Sequence, residues 1–269
     1  MSDVDDNGAP QLPLVEMRDI AKSFGAIQAV VDASLEVWPA EVVGIVGDNA
    51  AGKSTLMKVL SGAHEPSAGE IRIQGAPVRF TSPHDARQRG IEMVYQNFAL
   101  VPQLDIASNI FLGRERLRSG PARFLGTLDR GAMDRASRDL FGRLRVDVGS
   151  VRAKVRTLSG GQQQAIAIAR AMAFEARLIV MDEPTANLAV SGIEMVRDVI
   201  RTLKAHGISV IVISHRLEDI FAVADRVLVM KRGRMVGSRT IAQTSMDEVL
   251  HLIVAGVDET AQSPQAAAH

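Results

Sequence analysis

The sequence predicts an α/β protein with a mostly parallel sheet. Short runs that are apolar throughout alternate with segments of helical periodicity along much of the 269-residue chain. One such run, Val42–Val46, leads into a glycine-rich turn, and another, Leu178–Met181, leads into two acidic residues. Strands without polar positions are typical of parallel sheets that helices cover on both faces. We therefore expect the functional residues at the ends of these strands.

Composition narrows the classes of protein that the chain can belong to. Basic and acidic residues balance at 31 each, so no overall charge draws the protein to nucleic acid or anionic lipid. The chain has no cysteine, which excludes disulfides, zinc–thiolate sites and thiol catalysis. No apolar run approaches the roughly 20 residues of a membrane helix, and residues 1–13 lack the pattern of a signal peptide. We expect a soluble protein.

The predicted organisation is a single domain at residues 14–255, with a disordered N-terminus at 1–13 and a flexible tail at 256–269. No internal repeat is visible, so a tandem pair of domains is not expected. From about residue 97 to 175 the pattern is helical and without buried strands, which predicts an inserted helical subdomain. Its many arginines would suit either a phosphate site or a solvated face. Acids among them, such as Asp134 and Asp139, favour the solvated face.

Strand, helix and turn signals place the elements on either side of that insert. Before it, we predict strands at Leu14–Ile20 and Ala29–Val37, a helix at Ser54–Ser61 ending at Gly62, a hairpin of Glu70–Ile73 and Val78–Phe80 turning at Gly75, and a short helix from Pro83 to Gly90. After it, we predict a strand at Leu178–Met181, a helix at Gly192–His206, a strand at Ile208–Ser214, a helix at Leu217–Ala224, a hairpin of Arg226–Lys231 and Met235–Thr240, and a last helix capped by Ser245 and Glu248. The N-terminal strands and the first hairpin predict a small antiparallel sheet.

The glycine-rich turn predicts a phosphate-binding site. Residues 47–54 read Gly-Asp-Asn-Ala-Ala-Gly-Lys-Ser and fit the pattern Gly-x4-Gly-Lys-[Ser/Thr] between a strand and a helix. Successive amide groups at a helix N-terminus present positive ends to the phosphates of a nucleoside triphosphate. Lys53 would reach the β- and γ-phosphates, and the Ser54 hydroxyl would hold Mg²⁺.

The second apolar strand ends in a pair of carboxylates, Asp182 and Glu183. In P-loop proteins an aspartate at such a strand end holds Mg²⁺, often through water. Glu183 would polarise a water molecule aimed at the γ-phosphate. The alternative is that Asp-Glu-Pro merely ends a strand, and the phosphate-binding turn favours the catalytic interpretation.

A third motif, Leu158-Ser159-Gly160-Gly161-Gln162, directly precedes a helix that we predict to begin at Gln164. Its glycines expose backbone amides and Ser159 adds a hydroxyl, which predicts a second anion site at a helix N-terminus. A Ser-Gly-Gly sequence alone is usually a flexible loop. The pentapeptide before a helix and upstream of Asp182 favours the anion site.

With these motifs, residues from about 14 to 255 resemble the ATP-binding subunits of ABC transporters. The resemblance implies a P-loop NTPase fold of the ABC type, with an antiparallel β subdomain and an inserted helical subdomain. It also implies a head-to-tail dimer that holds two ATP molecules, each between residues 47–55 of one chain and the pentapeptide of the other. The positions implied to contact ATP are Phe24, Gly47, Asp48, Asn49, Ala50, Ala51, Gly52, Lys53, Ser54, Thr55, Ser159, Gly160, Gly161 and Gln162.

The same resemblance implies roles in catalysis and metal binding. The implied catalytic residues are Lys53, Gln96, Glu183 and His215, and the implied Mg²⁺ ligands are Ser54, Gln96 and Asp182. Phe24 would stack on adenine, the alternative being a core side chain at a strand end. His215 would contact the γ-phosphate, whereas an isolated histidine is more often a surface or core residue.

Four segments resemble the bacterial importers of monosaccharides such as ribose, xylose and fructose: Gly47–Asn49, Met93–Gln96, Glu183–Ala186 and Ala222–Val227. The implied function is ATP-driven uptake of a sugar that a periplasmic protein delivers. The implied partners are a second ATP-binding subunit, with a homodimer expected, and two transmembrane permease subunits. The implied location is the cytoplasmic face of the bacterial inner membrane, and no nucleic-acid partner is expected.

Three residues depart from the family pattern. Ala50 stands where glycine is usual, Gln163 replaces a common arginine, and Ala189 replaces an aspartate that the sugar importers often lack as well. A positive φ at Ala50 would strain the turn by about 1 kcal/mol or more.

Three other functions remain open at the level of sequence. An ABC exporter subunit would share the enzyme class and differ in its cargo. A non-transport ABC ATPase would act on ribosomes or DNA, although the chain lacks the second domain, coiled coil or zinc insertion of such proteins. A regulatory module would bind nucleotide without turnover.

Overall fold

The computed structural model describes residues 12–118 and 126–256. The predictions for residues 1–11 and 257–269 therefore lie outside the described residues. The strands are β1 (Val15–Phe24), β2 (Ile27–Val37), β3 (Val42–Val46), β4 (Ala68–Ile73), β5 (Ala76–Val78), β6 (Ile91–Val94), β7 (Leu178–Asp182), β8 (Ser209–Ile213), β9 (Arg226–Lys231) and β10 (Arg234–Thr240). The helices are α1 (Lys53–Leu60), α2 (Pro83–Gln88), α3 (Ile106–Ile110), α4 (Arg130–Leu144), α5 (Gly160–Met172), α6 (Val190–Ala205), α7 (Leu217–Val223) and α8 (Met246–Ala255).

The described chain forms two compact units. The first contains residues 12–38, 42–83 and 213–256, and the second contains residues 39–41, 84–118 and 126–212. The first unit holds the glycine-rich turn and α1, and the second holds most of the predicted helical insert.

The sheet of the first unit joins an antiparallel part to a parallel part. Its strand order is β5-β4-β1-β2-β10-β9-β3. β1 pairs antiparallel with both β2 and β4, which confirms the small antiparallel sheet. β3 runs parallel to β9, and all five residues of β3 are buried. Complete burial explains why this strand reads as an unbroken apolar run.

The two predicted hairpins of this unit turn where glycine allows a positive φ. Gln74 and Gly75 have φ values of 49° and 79°, as both central residues of a two-residue type I′ turn require. The prediction of Val78–Phe80 as the returning strand is wrong, because so short a turn pairs Ala76 directly with Ile73. β5 therefore begins at once after Gly75.

In the second unit the strand order is β8-β7-β6. β6 was not predicted. It has only four residues, and Glu92 interrupts its apolar pattern. It nevertheless pairs parallel with β7, with Met93 opposite Val180. The pairing of Val94 with Met181 fixes the point at which the following chain leaves the sheet.

The described part of the predicted insert is helical and contains no strand element, although isolated bridges join Asp105 to Lys154 and Leu117 to Leu128. The first helix of the insert begins at Ile106. Asp105 sets this start, because its carboxylate accepts a hydrogen bond from the Ser108 amide at 2.7 Å.

On α4 the arginines form a solvated face, as predicted: Arg130, Arg135, Arg138 and Arg143 are exposed. Arg114 differs, because its guanidinium lies 3.9 Å from the centre of the Phe174 ring. It also donates to a Glu92 carboxylate oxygen at 3.3 Å. Among the described helices, none is both long and apolar enough to span a membrane.

Candidate nucleotide-binding site

The glycine-rich turn of the first unit follows β3 and leads directly into α1. The Ala51 amide donates to the Asp48 carbonyl at 3.1 Å, and Gly52, with φ of 100°, precedes the first residue of the helix. Gly47 has φ of 145°, and a Cβ atom there would lie 1.9 Å from the Met230 carbonyl oxygen. Only glycine fits this position. The turn therefore leads directly into the N-terminus of α1, the end of a helix that favours anions such as phosphate.

Lys53 lies inside this turn and not out in solvent. Lys53 is only 8% exposed, and its ammonium group donates to the carbonyls of Gly47 and Asp48 at 2.7 and 2.8 Å. The charge is thus held next to the amides of the turn, where an anionic ligand would meet both. Ser54 and Thr55, in the first turn of α1, are half-buried, and Asp48, Asn49 and Ala50 are exposed.

Ala50 has a positive φ of 64°. The structure therefore places alanine in the left-handed region at a position where the family usually has glycine, and the condition for strain is met.

Phe24 ends β1 and is 45% exposed, so the core interpretation of this side chain is wrong. Its ring meets the His64 ring edge-on at 5.1 Å, and the Lys22 ammonium lies 5.1 Å from its centre. An exposed aromatic face beside a cation suits the stacking of a planar base. His215 is also exposed, and the amide of its neighbour Ser214 donates to the Ile45 carbonyl at 3.4 Å.

In the second unit, three predicted site residues lie at the same end of two paired strands. Asp182 is the last residue of β7, and Glu183 follows it. The register pairs Val94 of β6 with Met181 of β7, so Gln96 and Glu183 each lie two residues beyond that pair. Glu183 is half-buried and adopts a positive φ of 52°, which is unusual for this residue type. A strained backbone of this kind is common at functional sites.

The pentapeptide forms the start of α5. The helix begins at Gly160, four residues before the predicted start, because Ser159 and Gln162 make a capping box. The Gln162 amide donates to the Ser159 hydroxyl at 3.3 Å, and the Ser159 amide donates to the Gln162 side-chain oxygen at 3.1 Å. The Gln162 side-chain nitrogen also donates to the Asp147 carbonyl at 3.2 Å. The motif is therefore an ordered helix N-terminus and not a loose loop.

The glycines of this motif allow α5 and α6 to approach closely. A Cβ atom on Gly161 would lie 2.9 Å from the Cα atom of Gly192, and one on Gly160 would lie 2.8 Å from the Leu188 side chain. The two other departures from the family pattern lie nearby in sequence. Gln163 donates to the Leu158 carbonyl at 3.0 Å, and Ala189 is the residue that precedes α6, without a side-chain cap.

Sequence reasoning missed a charged cluster in the second unit, formed by Arg87, Glu92, Arg114 and Arg170 next to Phe174. Burial raises the pKa of the Glu92 carboxyl, and the Arg114 guanidinium opposes that rise. Burial likewise lowers the pKa of the Arg170 guanidinium. No motif marked these residues, because their contacts join positions far apart in the chain.

The predicted Mg²⁺ ligands comprise one hydroxyl, one amide and one carboxylate (Ser54, Gln96 and Asp182). No group of three or more histidine and acidic side chains suited to a metal is present among the described residues. This donor set fits Mg²⁺, which usually binds one or two carboxylates, water and substrate phosphates.

A model of the ABC transporter family matches residues 30–186, and a P-loop domain model matches residues 139–251. Among solved structures, the ADP conformation of an ATP-binding cassette of an ABC transporter superposes with a TM-score of 0.76 at 24% identity, covering 90% of this chain and 95% of that one. A dimeric bacterial ABC transporter cassette superposes with a TM-score of 0.70 at 22% identity, covering 84% and 98%. The fold is that of a P-loop ABC cassette.

Curated relatives are more similar in sequence. A xylose/arabinose import ATP-binding protein of Sulfolobus acidocaldarius is 42% identical over 89% of this chain and 93% of its own length. A fructose import ATP-binding protein of Rhizobium meliloti is 42% identical, over 83% and 87%. A ribose import ATP-binding protein of Rubrobacter xylanophilus is 44% identical over 90% of this chain, which spans only 47% of that longer protein. The chain belongs to the ABC transporter family, as an ATP-binding protein.

Proposed function

We propose that this chain is the ATP-hydrolysing subunit of an importer for a monosaccharide. The observation that carries the proposal is its similarity to import proteins for two pentose systems and for fructose, at 42–44% identity over 83–90% of the chain. ATP-binding proteins of ABC import systems hydrolyse ATP. The glycine-rich turn and the carboxylate of Glu183 at the end of β7 supply the groups that such an activity needs.

In this proposal the first unit binds the nucleotide. The amides of residues 47–55 and the Lys53 ammonium hold the phosphates, since both already lie together in the turn. Phe24 stacks on the base with its exposed ring. His215 contacts the γ-phosphate, as the family resemblance implies.

The second unit supplies the groups for hydrolysis. Glu183 orients a water molecule and accepts its proton, and Gln96 contacts that water. A positioned base of this kind contributes roughly 10²–10⁴ in rate. Gln96 and Asp182 would help to hold Mg²⁺, which neutralises charge on the phosphates when it is bound.

We propose a homodimer in which the start of α5 in one chain covers the nucleotide of the other. Ser159 is exposed and Gln162 half-buried, so the N-terminus of this helix, which favours anions, lies at the surface of the chain. The γ-phosphate would bridge two chains that otherwise attract each other weakly, so hydrolysis would release them. In this proposal the dimer binds two permease subunits at the cytoplasmic face of the membrane. A sugar-binding protein delivers the sugar to these permeases.

Uptake of labelled monosaccharides tests this function. Cells that lack the subunit should lose uptake of one or more of xylose, arabinose, ribose and fructose. The wild-type chain should restore that uptake, and Glu183→Gln should not. Unchanged uptake of every sugar tested in the deleted strain would contradict the sugar importer, and accumulation of a compound in those cells would indicate an exporter.

A further inference from the structure

Arg170 joins two parts of the second unit that sequence reasoning treated separately. It lies in the last turn of α5, the helix that begins with the Ser159-Gly160-Gly161 motif. Its guanidinium donates to the Ala99 carbonyl at 2.9 Å and to the Phe98 carbonyl at 3.2 Å. Both carbonyls belong to the loop that leaves β6 through Gln96.

This loop has few other attachments. Within the described chain, the hydrogen bonds of residues 97–100 are the two from Arg170. The next fixed point is Val101, whose amide and carbonyl bond to the Asn109 side chain at 2.7 and 3.0 Å. Ala99 itself has a positive φ of 47°, a conformation that costs an alanine about 1–2 kcal/mol. Outside contacts are therefore needed to hold the loop in this form.

An arginine suits this task better than a lysine. Its planar fork reaches two neighbouring carbonyls at once, and hydrogen bonds from a charged donor are the stronger kind. Glu92 supplies the opposite charge nearby, and Arg114, stacked on Phe174, pairs with the same carboxylate. These neighbours form one wall of a cavity of about 240 Å³ that Ala99 and Tyr95 also line.

We infer that Arg170 is a positioning residue, which fixes the loop carrying Gln96 to helix α5 so that both move as one body. Helix α5 is rigid, and its rise of about 1.5 Å per residue separates Arg170 from Ser159 by about 16 Å. A displacement at the Ser159 end would reach Gln96 through this side chain. The inference rests on the proposed function, in which Gln96 contacts the attacking water.

The first test measures the loop itself. The chain has no cysteine, so Asn97→Cys gives a single, exposed attachment point for a nitroxide spin label. In Arg170→Met the label should become at least about twofold more mobile by electron paramagnetic resonance. In Arg170→Lys the mobility of the label should lie between that in wild type and that in Arg170→Met. Arg114→Met is the matched control, since it removes a guanidinium of the same cluster that donates to Glu92 and not to a carbonyl of the loop.

The second test measures turnover in the assembled transporter. Arg170→Met should lower kcat for ATP about tenfold and leave KM within about twofold, because it misplaces the contact of Gln96 with the attacking water and leaves the glycine-rich turn intact. Combined with Gln96→Ala, it should cause no further loss, because both changes act through one residue. Arg114→Met should keep wild-type kcat in the absence of sugar.

The outcomes separate this inference from the proposed function. Unchanged label mobility in Arg170→Met would overturn the positioning role. Increased mobility with normal kcat, or a further tenfold loss in the double variant, would overturn the link to Gln96. A wild-type transporter that hydrolyses no ATP would refute the proposed function, and the label would still decide whether Arg170 holds the loop.

Discussion

Ala50 strains the glycine-rich turn, because its φ of 64° lies where a side chain is unfavourable. Ala50→Gly should remove about 1–2 kcal/mol of strain from the folded state. Glycine also raises the conformational entropy of the unfolded chain, which offsets part of this stabilisation. We expect a net stabilisation of up to about 1 kcal/mol, or a rise in Tm of about 2–4 °C. Differential scanning calorimetry measures it.

Ala51→Gly is the control for this change. Ala51 is buried and is not among the described residues with positive φ. Its replacement should destabilise the protein by roughly 0.5–1 kcal/mol, since it adds freedom without relieving strain. Equal effects of the two substitutions would show that the backbone of Ala50 is not strained.

The buried carboxyl of Glu92 predicts a pH dependence of the protein's stability. Burial raises the pKa of its carboxyl above the ordinary value, with Arg114 opposing. Folding therefore favours the protonated form, and the contribution of Glu92 to stability is complete below the ordinary pKa and lost as pH rises through the raised pKa. Glu92→Gln stays neutral, so its stability relative to wild type should increase across that rise.

Urea unfolding at a series of pH values measures this difference. Asp139→Asn, at an exposed position of α4, is the control and should show no comparable trend. A difference between Glu92→Gln and wild type that shrinks as pH rises would show that the ion pair with Arg114 outweighs burial.

At the scale of elements, α6 begins without a side-chain cap. Ala189 has φ of −68° and ψ of 160°, the extended geometry of a capping residue. Ala189→Asp should therefore accept a hydrogen bond from an amide of the first turn and stabilise the protein by about 1 kcal/mol. Thermal unfolding measures the gain. Ala189→Ser should give a similar gain and Ala189→Val none, whereas equal effects of serine and valine would exclude capping.

Elements with strong local signals could be predicted from the sequence. The buried strands β3 and β7 read as apolar runs, and the turn at Arg232 and Gly233 is marked by glycine, which tolerates positive φ. β6 could not be predicted, because four residues containing a glutamate carry no periodicity. Its existence depends on pairing with β7, a contact across more than 80 residues of sequence.

The candidate site divides in the same way. The glycine-rich turn and the pair at Asp182 and Glu183 are local patterns, and the structure places each at a strand end as expected. The start of α5 was predicted too late, although the capping box of Ser159 and Gln162 is visible in the sequence. The role of Arg170 had no local signal, since its acceptors lie 71 and 72 residues away.

At the scale of the whole molecule, the proposal predicts a dimer that depends on intact ATP. Glu183→Gln should bind ATP and keep it, so its mass in solution should double with Mg²⁺ and ATP and return to that of one chain with ADP. Wild type should show the dimer only briefly, because it removes the bridging phosphate. Small-angle scattering and sedimentation measure both states.

Ser159→Arg in the same background is the control. The long side chain of an arginine at the start of α5 would sterically block the covering of the nucleotide, so this double variant should remain a monomer that still binds ATP. Hydrolysis by Glu183→Gln at the wild-type rate would refute the catalytic role of Glu183. A dimer that survives Ser159→Arg would place the interface elsewhere.

The carbonyl oxygen of Met230 occupies the space beside Gly47 that any side chain would need. A larger residue there would push the end of β3 away from β9, its parallel neighbour, before a nucleotide is ever encountered. Substitutions of Gly47 would thus deplete the cell of properly assembled protein. A genetic screen scored on growth alone would mistake this low amount of folded protein for a loss of ATP hydrolysis. Measuring the amount of soluble subunit distinguishes the two.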